Sequence, residues 1–313
     1  MQDKQVEKKQ EYIAILIIGF LFVLIHSMAL LLMQPFRATG IVEPAFENPN
    51  NPVNILYIFI IMFIFTAIIL IIAKYWKKQL IQVIILAAIG YTAFYAFFLP
   101  LSSILFPFFS FLTILCISLL AAAVLIIALY RYPEWYIIDL CGIIVGTSAI
   151  VIFGMSLGLV LVIILLIGLA IYDAVSVYKT KHMIDLADTV MDLKLPVLLV
   201  VPKVRNYSLL KETKRLKEKL HEGQERDAFF IGLGDIVMPG ILVVAIYFSN
   251  PAWLPLSIGS MIGTLIGFFI LMRFVLKGNP QAGLPLLCGG AILGYIITSL
   301  LFHGTLIGLQ FFI

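Results

Sequence analysis

LGLVLVIILLIGLAIYDAVSVY, residues 157–178, runs for 22 residues with a single charged side chain, Asp173, near its end. About 20 apolar residues in a helix cross the roughly 30 Å hydrocarbon core of a bilayer. A continuous run of this length fits a helix and not the alternating strands of a membrane barrel, and in lipid only those two satisfy their own backbone. Composition extends that reading to the rest of the chain. Of 313 residues 62% are apolar and 12% charged, against about half and about a quarter in a soluble domain. The solvent for this protein is lipid.

Breaks at charged residues, Pro and Asn divide the sequence into nine spans, residues 12–33, 53–73, 80–99, 101–130, 136–153, 157–178, 228–248, 254–276 and 284–302. The fifth and sixth are parted only by Gly154-Met155-Ser156. The third and fourth meet at Leu99-Pro100-Leu101-Ser102-Ser103, read as a tight turn. The polar N-terminus has no small-residue cleavage site before the first span, which predicts a retained helix rather than a signal peptide. With the N-terminus in the cytoplasm, alternation puts 20 of the 21 Lys and Arg inside and leaves Arg37 outside. The positive-inside rule therefore predicts an all-α, multi-pass protein of the cell membrane, N-terminus cytoplasmic and C-terminus outside. Residues 1–153 form a scaffold of five helices. Residues 154–313 hold the other four and a basic cytoplasmic loop, 179–227.

Within that loop, residues 195–202 (LPVLLVVP) are too short to span, which places them at the interface or against the bundle. Residues 208–221 (SLLKETKRLKEKLH) read as an amphipathic surface helix. Cys116, Cys141 and Cys288 are scattered through apolar segments, so neither a disulfide framework nor a zinc site is indicated. No metal, cofactor or nucleic-acid partner is expected.

A carboxylate inside a membrane costs at least about 2.5–3.5 kcal/mol and so requires a reason. Asp139 lies close to Trp135 and Tyr136 at a helix end and reads as an interfacial acid reaching head groups. His26 and His303 are isolated and read as polar helix-packing contacts. Asp173 and Asp235 differ. Asp173 lies six residues before Lys179, and Asp235 eight residues after Asp227, which in helix are depths of about 9 and about 12 Å. One helix descends and the next ascends, so the two acids can face one another. Two carboxyls a few ångströms apart in low dielectric cannot both ionise, which provides a general acid and a general base together. Such a pair can activate water and protonate a departing amide nitrogen. It can equally carry protons, as in a channel or proton-coupled transporter.

Gly232-Leu233-Gly234-Asp235 clears side chains from beside the second acid, which leaves room for close backbone approach. Tyr172-Asp173 in the sixth span and this sequence in the seventh resemble the YD and GxGD motifs of the presenilin and signal peptide peptidase family. The long basic loop between them and the compact connections resemble its archaeal members. The family's third motif, Pro-Ala-Leu at the start of the ninth helix and usually followed by Pro, meets Ala282-Gly283-Leu284-Pro285 here: Leu284 and Pro285 match, while the leading Pro is missing and Gly283 replaces Ala. The resemblance implies an intramembrane aspartyl protease that acts on transmembrane-helix substrates. It implies Asp173 and Asp235 as catalytic residues, with Tyr172, Gly232 and Gly234 in support. Gly283, Leu284 and Pro285 would position substrate. An unwound substrate would pair as a strand with exposed backbone near the site, at residues 178–181 or 282–284. A prepilin-peptidase-like protease shares a GxGD aspartate but lacks the sixth-span YD and long basic loop. The sequence leaves open whether copies assemble into a homo-oligomer.

Overall fold

A computed structural model of the chain describes residues 2–39, 45–75, 78–180, 198–204, 207–211, 227–277 and 281–308. Nine α-helices lie among the described residues, in the order expected: α1 Gln2–Thr39, α2 Val53–Tyr75, α3 Lys78–Leu105, α4 Phe111–Arg131 and α5 Trp135–Ser156. After them come α6 Leu159–Val175, α7 Leu233–Ser249, α8 Leu254–Val275 and α9 Gly283–His303. Seven are long and apolar enough to cross a membrane; α2, at 23 residues, also has the length. Between α6 and α7 comes a two-stranded antiparallel ribbon, β1 Leu198–Pro202 and β2 Ala228–Gly232.

The ribbon corrects the seventh span. Residues 228–232 are strand, and the helix begins only at Leu233. Phe229, Phe230 and Ile231 favour extended backbone, and glycines at 232 and 234 weaken any helix carried back through them. The 195–202 stretch supplies the pairing partner. Its described part, Leu198–Pro202, packs on the bundle as one of the two expected placements had it, but as a strand with Leu199, Val200 and Val201 buried. Most of the amphipathic stretch at 208–221 lies outside the described residues. Of its start, Leu209–Lys211 forms a single 3-10 turn with Leu209 buried.

Two other boundaries are settled by side chains. The turn after α3 falls beyond Leu105, not at residues 99–103: the helix runs through Pro100, and Ser110 caps α4 by accepting the Thr113 N–H. Pro100 withholds the N–H that would bond the Ala96 carbonyl without ending the helix, and just beyond it Ser102 and Ser103 donate to the carbonyls of Leu99 and Pro100 at 2.8 and 2.9 Å. Between α5 and α6 the chain extends at Leu157 and Gly158. Here the Gly158 N–H donates to the Pro49 carbonyl at 2.9 Å, and Asn50 presses so close that a side chain at 158 would collide with it.

Helix α7 is the hub, packed against α1, α5, α6, α8 and α9. Its residues from Ile241 to Ile246 are at most 1% exposed, as expected of a helix apolar on every face. The most extensive helix pair is α8 with α9. Gly259, Gly263 and Gly267, each a turn apart, meet the backbone or side chains of α9, and Gly290 and Gly294 answer them. A Cβ at Gly263 would strike the Gly290 carbonyl oxygen, so the helices touch backbone to backbone. Without a hydrophobic force between helices in lipid, small residues that permit this contact supply the association. Gly263→Leu is expected to cost about 3 kcal/mol, the upper end of overpacking penalties. The readout is a lowered thermal midpoint in detergent, and an unchanged midpoint would contradict the contact.

Candidate active site

Three helix ends converge around the two acids. Asp173 sits within the last turn of α6, Asp235 within the first turn of α7, and Gly283 and Leu284 open α9. With residues 228–232 extended, Asp235 owes its depth to a strand of five residues, about 16 Å at strand rise, and not to two turns of helix. The Leu284 N–H donates to Asp173 Oδ2 at 3.1 Å. It is one of the N–H groups that a helix start leaves without an intrahelical acceptor. A methyl group at Gly283 would come within 3.2 Å of Asp235 Oδ2. The two acids thus lie against adjacent residues at the start of α9, Asp173 against Leu284 and Asp235 against Gly283. Asp173 is buried, while Asp235 keeps an accessible part and Gly234 is exposed.

The motif residues fall in distinct places. Gly232 ends β2, and a Cβ there would lie 3.4 Å from Asp235 Oδ2. Gly234 faces open space, with no atom within 4 Å of where its Cβ would be. Pro285 occupies the first turn of α9, where a missing N–H costs nothing. Tyr172 is 61% exposed, unlike the buried Asp173 that follows it. Tyr178 does connect: its hydroxyl donates to Gln281 Oε1 at 2.9 Å, a second tie between the end of α6 and the approach to α9.

Several buried polar residues lie near the site but outside its motifs. His26 of α1 is fully buried and donates from Nε2 to the Ile236 carbonyl at 2.9 Å, one residue past Asp235. Gly240 lets that ring approach, so the expected packing role is the observed one. Cys288 is buried one turn beyond Leu284. Asp139 is not interfacial: it is 8% exposed, and its Oδ1 accepts the Val200 N–H of β1 at 2.7 Å. The fold-back of 198–202 onto α5 buries it. The backbone expected to receive a strand is also engaged. Residues 176–180 form a π-helical turn, and the Leu284 N–H belongs to Asp173. Among the described residues no three His, Cys, Asp or Glu side chains group as a metal site would require.

Membrane-length helices with two acids meeting where one ends and two begin define a polytopic membrane protein with a paired-carboxyl site. The family described as signal-peptide peptidase, presenilin aspartyl protease matches residues 19–304, and the chain belongs to it. Two solved structures, both of a presenilin family intramembrane aspartate protease, are similar over nearly the whole chain. The P2 crystal form is 32% identical, with a TM-score of 0.67, covering 90% of this chain and 96% of that one. The C222 form is 31% identical, with a TM-score of 0.68, covering 92% and 99%. A comparison with curated proteins finds no match. The protein is a multi-pass intramembrane aspartyl protease, whose substrates are transmembrane segments within a bilayer.

Proposed function

We propose that Asp173 and Asp235 are the catalytic pair, one ionised and one protonated, with a water between them. The ionised carboxylate takes a proton from that water as its oxygen bonds to the scissile carbonyl carbon, and the other carboxyl protonates the carbonyl oxygen. Collapse of the resulting diol breaks the C–N bond, and a proton returns to the departing nitrogen. The observation that carries this reading is that Asp173 and Asp235 meet neighbouring residues of one helix start, Leu284 and Gly283. A proton carrier needs acids that titrate, but it does not need both held against one open backbone corner.

Gly283 and Leu284 act in substrate positioning by seating the acids, and Gly232 and Gly234 act by leaving room for a peptide backbone. Tyr172, exposed beside Asp173, supports the site from its rim. Residues 1–153 serve as scaffold for the site in 154–313, and the basic segment marks the cytoplasmic face. An unwound substrate finds an edge for strand pairing along β2, whose other edge is taken by β1. The test is cleavage of a reporter carrying one transmembrane helix in proteoliposomes, with products mapped by mass spectrometry. Scission inside the apolar segment supports the reading. Cleavage confined to soluble flanks would overturn it.

A further inference from the structure

The ribbon that delivers Asp235 is held by a third acid, itself buried. In an antiparallel pair, residues alternate between those that exchange hydrogen bonds with the partner strand and those that point outward. The Lys203 N–H donates to the Asp227 carbonyl at 2.8 Å, so the bonded pairs along the observed register are Val201 with Phe229 and Leu199 with Ile231. Pro202 and Val200 then face away from β2. Pro202 has no N–H to satisfy there. Val200 has one, and Asp139 of α5 accepts it.

The same face of α5 continues toward the site. A side chain at Gly142 would press on Leu199 of β1, with its Cβ 2.6 Å from Leu199 Cδ2. A Cβ at Gly146 would come within 3.0 Å of Leu233 Cδ1. Leu233 is the residue between the two glycines that precede Asp235. Asp139, Gly142 and Gly146, spaced about one turn apart, therefore seat the ribbon and the start of α7 on one helix face. Asp139 is its polar pin.

We propose that Asp139 is a positioning residue for hydrolysis: its bond to the Val200 N–H sets the height of the ribbon on α5, and through Leu233 the placement of Asp235. This rests on the assignment of Asp235 to catalysis. Asp139→Leu removes the acceptor and leaves the Val200 N–H buried without one. Misplacement of a reacting group by about 1 Å can cost about a hundredfold in rate. In full-length protein in proteoliposomes, Asp139→Leu is expected to lower kcat about tenfold to a hundredfold, to leave KM within about threefold, and to shift the distribution of cleavage sites. Asp139→Asn retains an acceptor oxygen and is expected to stay within about threefold of the parent in kcat, with the parental cleavage sites.

Val200→Pro deletes the donor without touching the ladder bonds and is expected to behave like Asp139→Leu. It also decides the question if Asp139→Leu does not fold. Parental kcat and cleavage sites in Val200→Pro would overturn the proposal, as would a loss in Asp139→Asn equal to that in Asp139→Leu. A purely structural Asp139 would lower the thermal midpoint and leave kcat and cleavage sites unchanged, which also overturns it. Asp173→Asn runs alongside: residual cleavage there would refute the catalytic pair itself, a failure separate from any result at Asp139.

Discussion

Asp173→Asn and Asp235→Asn each reduce cleavage of a transmembrane reporter by about a thousandfold or more, and the double variant loses no more than either single one. Asparagine keeps the volume and an acceptor oxygen, so the Leu284 N–H that Asp173 holds at 3.1 Å can remain paired. What it removes is the ability to take up and release a proton. Acid and base steps are each worth about 10²–10⁴-fold, and groups that act as one unit lose their joint contribution at the first deletion. Additive losses would mean two independent roles, as for acids spaced along a proton path. The measurement is the initial rate of product formation in proteoliposomes, with elution and thermal midpoint matched to the parent. Activity surviving in either variant would remove that residue from the pair.

The two acids stand out in the sequence alone, because an acid inside an apolar run announces its cost; that their work is proteolysis and not proton transport came from the resemblance of residues 172–173 and 232–235 to a family. The nine helices are legible for a similar reason: continuous apolar length is a strong local signal. The ribbon is not. Residues 228–232 are five apolar or small residues abutting an apolar helix, and a short apolar run reads equally as strand or helix. Only the partner at 198–202, some 30 residues away, decides between them. Asp139 was misread through the same gap. An acid near Trp135 and Tyr136 looks interfacial until a strand from the long segment lies over it. The glycines of α8 and α9 are visible one by one, but which carbonyl each one meets is a property of the packed pair. Long-range partners, more than local propensities, were what the chain withheld.

The departure at the third motif leads to the second large effect. Where the family carries Ala, this chain has Gly283, and a methyl there would stand 3.2 Å from Asp235 Oδ2 and 3.4 Å from its Cγ. Those contacts are tight yet can be relieved by a few tenths of an ångström, because the obstacle is a carboxyl group and not backbone. Gly283→Ala is therefore expected to keep activity within about tenfold of the parent, a loss in keeping with a sub-ångström displacement. Gly283→Val places two further methyls on the same side. Accommodating them requires moving Asp235, or lifting the start of α9 and with it the N–H that Asp173 accepts. Either motion separates the acids from their shared seat, and the expected loss is about a hundredfold or more in kcat. The fold should survive, since residue 283 is the first of α9 and the glycine contacts that bind α9 to α8 begin further along. Rates of reporter cleavage across Gly, Ala and Val, read beside the thermal midpoints, test the seat directly. A valine enzyme as active as the parent would show that Asp235 does not work from this corner.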